Sequence, residues 1–192
     1  MKARSYAAAL DQTLTPMGFE RRGSFWSRIC GDLLEEVDLQ FSQIAGTTSN
    51  LWTKDLATEK LLGEAIPWEP PFMVLGGMRI GHLMNGNDRW WRKDPNGPAE
   101  LAEALRIHAP PYFESWRSLE SQARRFGRSE TRWSSAPIRI YLALTLHRMG
   151  ELEEACQALR SPPKRMSPES LAQVESVRQW LGCDTTTEAS GA

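Results

Sequence analysis

The sequence predicts an α+β fold: an N-terminal helix, a small antiparallel sheet of about four to five strands, and then a set of about five helices. Three observations predict it. Strand-like alternation of apolar and polar residues is confined to the first half of the chain, and apolar residues at helical spacing dominate the second half. The two signals run in blocks instead of alternating, which is the order of an α+β chain and not of repeated βαβ units. The chain has 192 residues, 41% hydrophobic and 24% charged, which is ordinary globular composition and enough length to bury a core without disulfides or metals. The expected division is a sheet domain over residues 1–94, a helical region packed on it over 95–183, and a disordered tail over 184–192.

The elements follow in order. Tyr6, Leu10 and Leu14, with Ala3 and Ala7, give a helix over 3–15, ended by Pro16 and Gly18. Phe25, Ser27 and Ile29 alternate with Trp26 and Arg28, and Leu33, Glu35, Val37, Leu39 and Phe41 alternate with Leu34, Glu36, Asp38 and Gln40. Period two on both sides of Cys30-Gly31-Asp32 is a hairpin. A three-residue loop there pairs Ile29 with Leu33, Ser27 with Glu35 and Phe25 with Val37. That register buries Phe25, Ile29, Leu33 and Val37, and puts Trp26 opposite Glu36 on the other face. Residues 45–50 read as a loop and Leu51 to Thr58 as a third strand. Residues 63–77, which hold Pro67, Pro70, Pro71, Gly76 and Gly77, read as irregular. Arg79 to Leu83 and Asp88 to Arg92 read as two short strands around the turn Asn85-Gly86-Asn87, and Asp94-Pro95-Asn96-Gly97 is a further turn.

The helices begin there. Leu101, Ala104, Leu105 and His108 share one face, and Tyr112, Trp116, Leu119, Ala123 and Phe126 share another that ends at Gly127. Ser135 caps and Pro137 starts a helix striped by Ile138, Tyr141, Leu142, Thr145, Leu146 and Met149, closed by Gly150. A short helix follows with Leu152, Ala155, Cys156 and Leu159, stopped by Pro162 and Pro163. Ser167 caps the last helix, Pro168 opens it, and its stripe is Leu171, Val174, Val177 and Leu181.

Three segments carry a family resemblance: Leu14-Thr15-Pro16-Met17-Gly18-Phe19-Glu20-Arg21-Arg22-Gly23-Ser24-Phe25, then Val37-Asp38-Leu39-Gln40-Phe41-Ser42, then Arg79-Ile80-Gly81-His82-Leu83-Met84 followed by Asp88-Arg89-Trp90-Trp91. Together, over roughly the first half of the chain, they resemble the bacterial family known as domain of unknown function 4304. The resemblance implies a small soluble bacterial protein in a context of toxin neutralisation, and it transfers no catalytic residue. Tyr141 to Arg160 also looks like one helical hairpin of the tetratricopeptide kind. One such unit is too few for a solenoid.

Composition narrows the function classes. A formal charge of −1 with interspersed signs argues against a duplex nucleic-acid binder, whose affinity comes mostly from neutralised phosphates. Cys30, Cys156 and Cys183 are odd in number and widely spaced, so they read as free thiols in a reducing compartment. With no apolar run long enough for a signal sequence or a membrane span, the expected location is the cytoplasm and no membrane is an expected partner. The chain contains no GxxxxGK[ST], GxSxG or HExxH sequence, so neither a cofactor nor a metal is expected and a non-enzymatic protein-binding module is expected ahead of an enzyme.

Weaker constellations remain. Trp90-Trp91 is the oddest: on a strand, adjacent residues face opposite sides, so one is core and the other faces solvent or a cover. An exposed Trp flanked by Arg89 and Arg92 has the composition of an interface hot spot. The expected partner-binding residues are Trp90, Trp91, Arg89, Arg92, Trp26, Glu36 and Asp38, and the expected function is protein binding, in its sharpest form an immunity protein against a cognate toxin. The competing class is a hydrolase or nuclease using His82 with Asp88, or the Glu36/Asp38 pair on one strand face. A third is an RNA-binding regulator using Arg117, Arg124, Arg125, Arg128 and Arg132. His108 and His147 read as structural.

Overall fold

The computed structural model describes residues 2–68, 75–91, 95–127, 136–160 and 166–183. The fold class is α+β. The elements are α1 (Lys2–Leu14), a 3-10 turn (Thr15–Met17), β1 (Glu20–Arg22), β2 (Phe25–Cys30), β3 (Leu33–Ser42), β4 (Gly46–Asp55), α2 (Leu56–Ala65), β5 (Gly76–Arg79), α3 (Ile80–Asn85), α4 (Gly97–Glu114), α5 (Leu119–Gly127), α6 (Ala136–Arg148), α7 (Leu152–Arg160) and α8 (Pro168–Leu181). The five strands form one antiparallel sheet in sequence order, β1-β2-β3-β4-β5.

The chain divides into two compact units, each assembled from two stretches. One comprises Met1–Asp55 and Val74–Trp116, the other Leu56–Met73 and Arg117–Ala192. This differs from a cut at residue 94. Helix α4 belongs with the sheet, and α2, met inside the first half, belongs with the later helices.

In the sheet unit, Tyr6, Leu10 and Leu14 of α1 and Leu101, Leu105 and Phe113 of α4 are buried, and the two helices pack on each other. The sheet supplies Trp26, Leu33, Val37, Leu39 and Leu51 to the same core. Phe19 meets Phe113 with ring centroids 5.9 Å apart. Glu35 is fully buried and is answered by Arg28 at 2.7 Å. Arg28 also donates to the Met17 carbonyl and lies over the Phe19 ring. A buried charge persists when its partner and remaining donors are met in this way.

The hairpin register corrects the expected one. Cys30 pairs with Leu33, Arg28 with Glu35, Trp26 with Val37 and Phe25 with Asp38. The loop has two residues, Gly31 and Asp32, not three, and Gly31 takes φ +60°. The first central position of a type II′ turn needs that backbone region, and glycine alone enters it freely. Shifting the register by one residue exchanges the faces of β2, so Trp26 is buried while Phe25 and Ile29 are exposed; Leu33 and Val37 of β3 are buried as expected.

Other expectations change. Residues 46–50 belong to β4, which pairs with β3 from Ser42↔Gly46 to Leu33↔Asp55, and the chain turns helical at Leu56. Ile80–Asn85 is a helical turn, not a strand, closed by Gly86 at φ +78°. The segment Asp88–Trp91 makes one isolated bridge, Thr47↔Trp91, instead of a strand. α4 runs unbroken through Pro110 and Pro111. Each proline removes a bond to the carbonyl four residues back. Those carbonyls belong to Arg106 and Ile107, both exposed residues, and a carbonyl open to solvent loses little when its intrahelical donor is missing. Ala109 and Phe113 hold the opposite side in the core.

In the helical unit, α6 packs with α5, α7, α8 and α2. Gly150, at φ +83°, turns the chain from α6 into α7. Phe126 meets Tyr141 at 6.1 Å, Arg148 donates to the Thr58 hydroxyl at 3.0 Å, and Ser176 donates to the Ala65 carbonyl at 2.5 Å. Ser167 caps α8 by accepting from the Ser170 amide, and Gly182 ends it. Cys156 and Cys183 form a disulfide, with Cα atoms 5.4 Å apart, and Cys30 is left as the free thiol. The expectation of three free thiols is thereby corrected, and with it the premise that pointed to a reducing compartment. Among the described residues no helix is long and apolar enough to cross a membrane. The expected cap Ser135, the stop Pro162-Pro163 and the tail 184–192 lie outside the described residues.

Candidate functional site

One face of the sheet packs on α1 and α4; the other presents alternate side chains outward. The pairing lines these up in rows across the strands. One row runs Arg22, Phe25, Asp38, Asn50, Arg79, and the next runs Glu20, Ser27, Glu36, Trp52, Gly77. Ile29 and Leu34 lead a third row, ending at Lys54.

The β3–β5 half of this face is a prearranged polar and aromatic platform. Asp38 accepts from the Asn50 side-chain amide at 2.8 Å and its backbone amide at 3.1 Å, and from Trp52 Nε1 at 3.2 Å. Arg79 donates to Asn50 at 3.2 Å, to Gln40 at 3.3 Å and to Asp88 at 2.6 Å. Its guanidinium lies over Trp90, 4.9 Å from the ring centroid, and Trp90 Nε1 donates to Asp88 at 3.0 Å. The Trp52 ring lies against Gly77, where a Cβ would run into it. Charge-assisted bonds and ring stacking fix these side chains before anything binds, so little rotamer entropy remains to be lost on contact.

The β1–β3 half is a concave groove of about 770 Å³ lined by Glu20, Arg22, Phe25, Ile29, Leu34 and Glu36, among others. Phe25 is 48% and Ile29 68% exposed. Large exposed apolar side chains lining one concavity are the kind of patch that marks a contact surface.

The expected site residues separate on this structure. Asp38 and Trp90 stand on the platform, and Glu36 is half-buried beside the groove. Trp26 is fully buried and donates to Asp11 of α1 at 2.8 Å. Trp91 is also buried. Its backbone exchanges two hydrogen bonds with Thr47, its Nε1 donates to Glu100 at 3.0 Å, and Arg89 stacks on it while pairing with Glu100. Trp26, Trp91 and Arg89 therefore serve the fold of the sheet unit. Arg92 lies outside the described residues.

Of the residues considered for hydrolysis, Glu36 and Asp38 lie two positions apart on the outward face of β3, and His82 and Asp88 are engaged by different groups. His82 Nδ1 contacts the Gly86 carbonyl at 3.1 Å, whereas Asp88 is engaged by Arg79 and Trp90. Among the described residues no three or more of the His, Cys, Asp and Glu side chains come together in a metal-binding group. Arg124 and Arg125 are exposed on α5, and Arg128 and Arg132 lie outside the described residues. A second, shallower groove of about 400 Å³ includes Trp91, Ile107 and His108. At its rim the exposed Glu103 carboxyl is held below its ordinary range by the hydrogen bond from Arg106, whose own value is raised by the same contact.

Sequence reasoning missed Phe25, Ile29, Asn50, Trp52 and Arg79. The signal for the first two was present. A Gly-Asp pair read as a two-residue type II′ loop gives the observed register and turns both outward. Comparison with protein families, with curated proteins and with solved structures finds no match for this chain.

Proposed function

We propose that this chain is a protein-binding module that docks its partner on the open face of the five-stranded sheet. The observation that carries the reading is the exposure of Phe25 and Ile29 in a groove that adjoins the fixed Asp38–Asn50–Arg79–Trp90 platform. Covering an exposed aromatic or branched side chain contributes about 1.5–3 kcal/mol each. The ordered polar groups supply orientation, and hot spots join such aromatic and arginine anchors. The sharpest form of the proposal is an immunity-type protein that masks a toxin, which the resemblance of the first half of the sequence suggests.

The test is capture from the native host lysate with the tagged protein, beside Phe25→Asp and Ile29→Asp controls whose circular dichroism and unfolding midpoint match the parent. One stoichiometric protein, held by the parent and released by both variants, is the expected result. If it is toxic when expressed alone and harmless when co-expressed, the immunity form follows. Equal retention by all three proteins, or no specific capture, rejects docking on this face.

A further inference from the structure

Within the groove, Ser27 sits at the centre of a cross. Glu20 and Glu36 are its neighbours on β1 and β3, so their Cα atoms lie about 10 Å apart with Ser27 between them. Phe25 and Ile29 precede and follow it on the same face of β2. Among the described residues neither Glu20 nor Glu36 has a hydrogen-bond or ion-pair partner. Elsewhere in the sheet unit, carboxylates are committed: Glu35 to Arg28, Asp38 to Asn50 and Trp52, Asp88 to Arg79, Asp11 to Arg21 and Trp26. Arg28, which also borders the groove, is already taken by Glu35 and the Met17 carbonyl. Among the described residues that line the groove, the free charge at its centre is therefore negative, and Arg22, a free cation, stands one row away beside Phe25.

Resting on the docking reading above, we propose that the partner protein presents an arginine or lysine side chain into this cross, its cationic head between Glu20 and Glu36 and its stem along Phe25 and Ile29. Two carboxylates on strands either side of a hydroxyl match a guanidinium fork, which serves both while Ser27 takes a further hydrogen bond. The apolar residues above and below suit the methylene stem of a basic side chain, which packs along apolar surface while its head stays polar. Closing the interface removes water from the pair, which strengthens the attraction between the charges. Arg22 then repels a second cation and fixes the direction in which the partner segment lies.

The probe is a set of short extended peptides, identical except for a central Arg, Lys, Gln or Glu flanked by leucine and valine, assayed against the intact protein. The parent is expected to hold the Arg and Lys peptides roughly tenfold or more above the Gln and Glu peptides, the worth of a charge-assisted pair, with the gap narrowing as salt rises. Glu20→Gln with Glu36→Gln should abolish the gap, and Glu20→Lys with Glu36→Lys should reverse it toward the Glu peptide. Both side chains project from the sheet, so these variants should keep the parent unfolding midpoint. Binding that ignores the central residue, a gap that survives the double Gln variant, or no binding by any peptide overturns the basic anchor. Ile29→Asp separates the two ideas. Peptides held without regard to charge but lost in that variant leave docking on the sheet face standing, and peptides still held by it reject docking as well.

Discussion

Trp90 and Trp91 are adjacent residues with opposite roles. Trp91 is buried and pinned at both backbone and ring, whereas Trp90 lies half-exposed under Arg79. Trp91→Ala should cost about 3–5 kcal/mol, the range for large aromatic truncations in a core. Trp90→Ala should cost no more than about 1 kcal/mol, because little packing is lost at a partly open position. Urea unfolding of the two variants side by side checks the contrast. Glu35→Ala should cost about 3 kcal/mol in the same assay, because it strands Arg28 over the Phe19 ring without its counter-charge. The sequence expectation that only one of the two tryptophans is core rested on a strand over Asp88 to Arg92, whereas the contrast arises in a segment with a single bridge at Trp91. Which one turned inward was not legible, because the choice is made by Thr47, far away in the chain, whose backbone claims Trp91.

Among the elements, β2 and β3 were legible as strands and the inner face of β3, with Leu33 and Val37, was read correctly, whereas the face of β2 was inverted and β1, the start of β4 and the start of β5 were not read as strands. The alternation in β2 and β3 identifies two elements with a turn between them, and the number of residues assigned to that turn decides which face of β2 lies beside the inner face of β3. Gly31 makes the decision, so Gly31→Ala should cost about 1–2 kcal/mol by forcing a Cβ into the left-handed region, read as a lowered urea midpoint. Gly77→Ala should act differently. Its Cβ meets the Trp52 ring, so the ring must move off Asp38. The expected loss is about 1–3 kcal/mol of stability, with a change in Trp52 fluorescence as the local marker. The sequence also gave no warning that β5 would turn helical at Ile80. A short apolar run between glycines fits either state, and tertiary pairing with β4 ends at Asn50↔Arg79.

For the whole molecule, block order predicted the fold class, whereas the assignment of elements to units was hidden. Reasoning along the chain assumes that sequence neighbours pack together, and α2 breaks that rule by packing with α6 and α8. The disulfide was hidden for the same reason, since its cysteines lie 27 positions apart and meet only once α7 and α8 are in place. Closing a loop of that length should contribute about 3–4 kcal/mol. Cys156→Ser, or a reducing agent on the parent, should therefore lower the stability of the helical unit by that order, measured by hydrogen exchange in α6 to α8. The interleaving of the two units also sets an order of manufacture. As the chain leaves the ribosome, the sheet emerges early but stays uncapped until α4 has been made, and α2 emerges before any helix it will pack on exists. A fragment ending at residue 94 would lack Leu101, Leu105 and Phe113 and expose the inner face of its own sheet to proteases. The earliest stopping point that contains every stretch of the sheet unit is Trp116, just past the end of α4, and at that point α2 has been made without any of the helices it packs on.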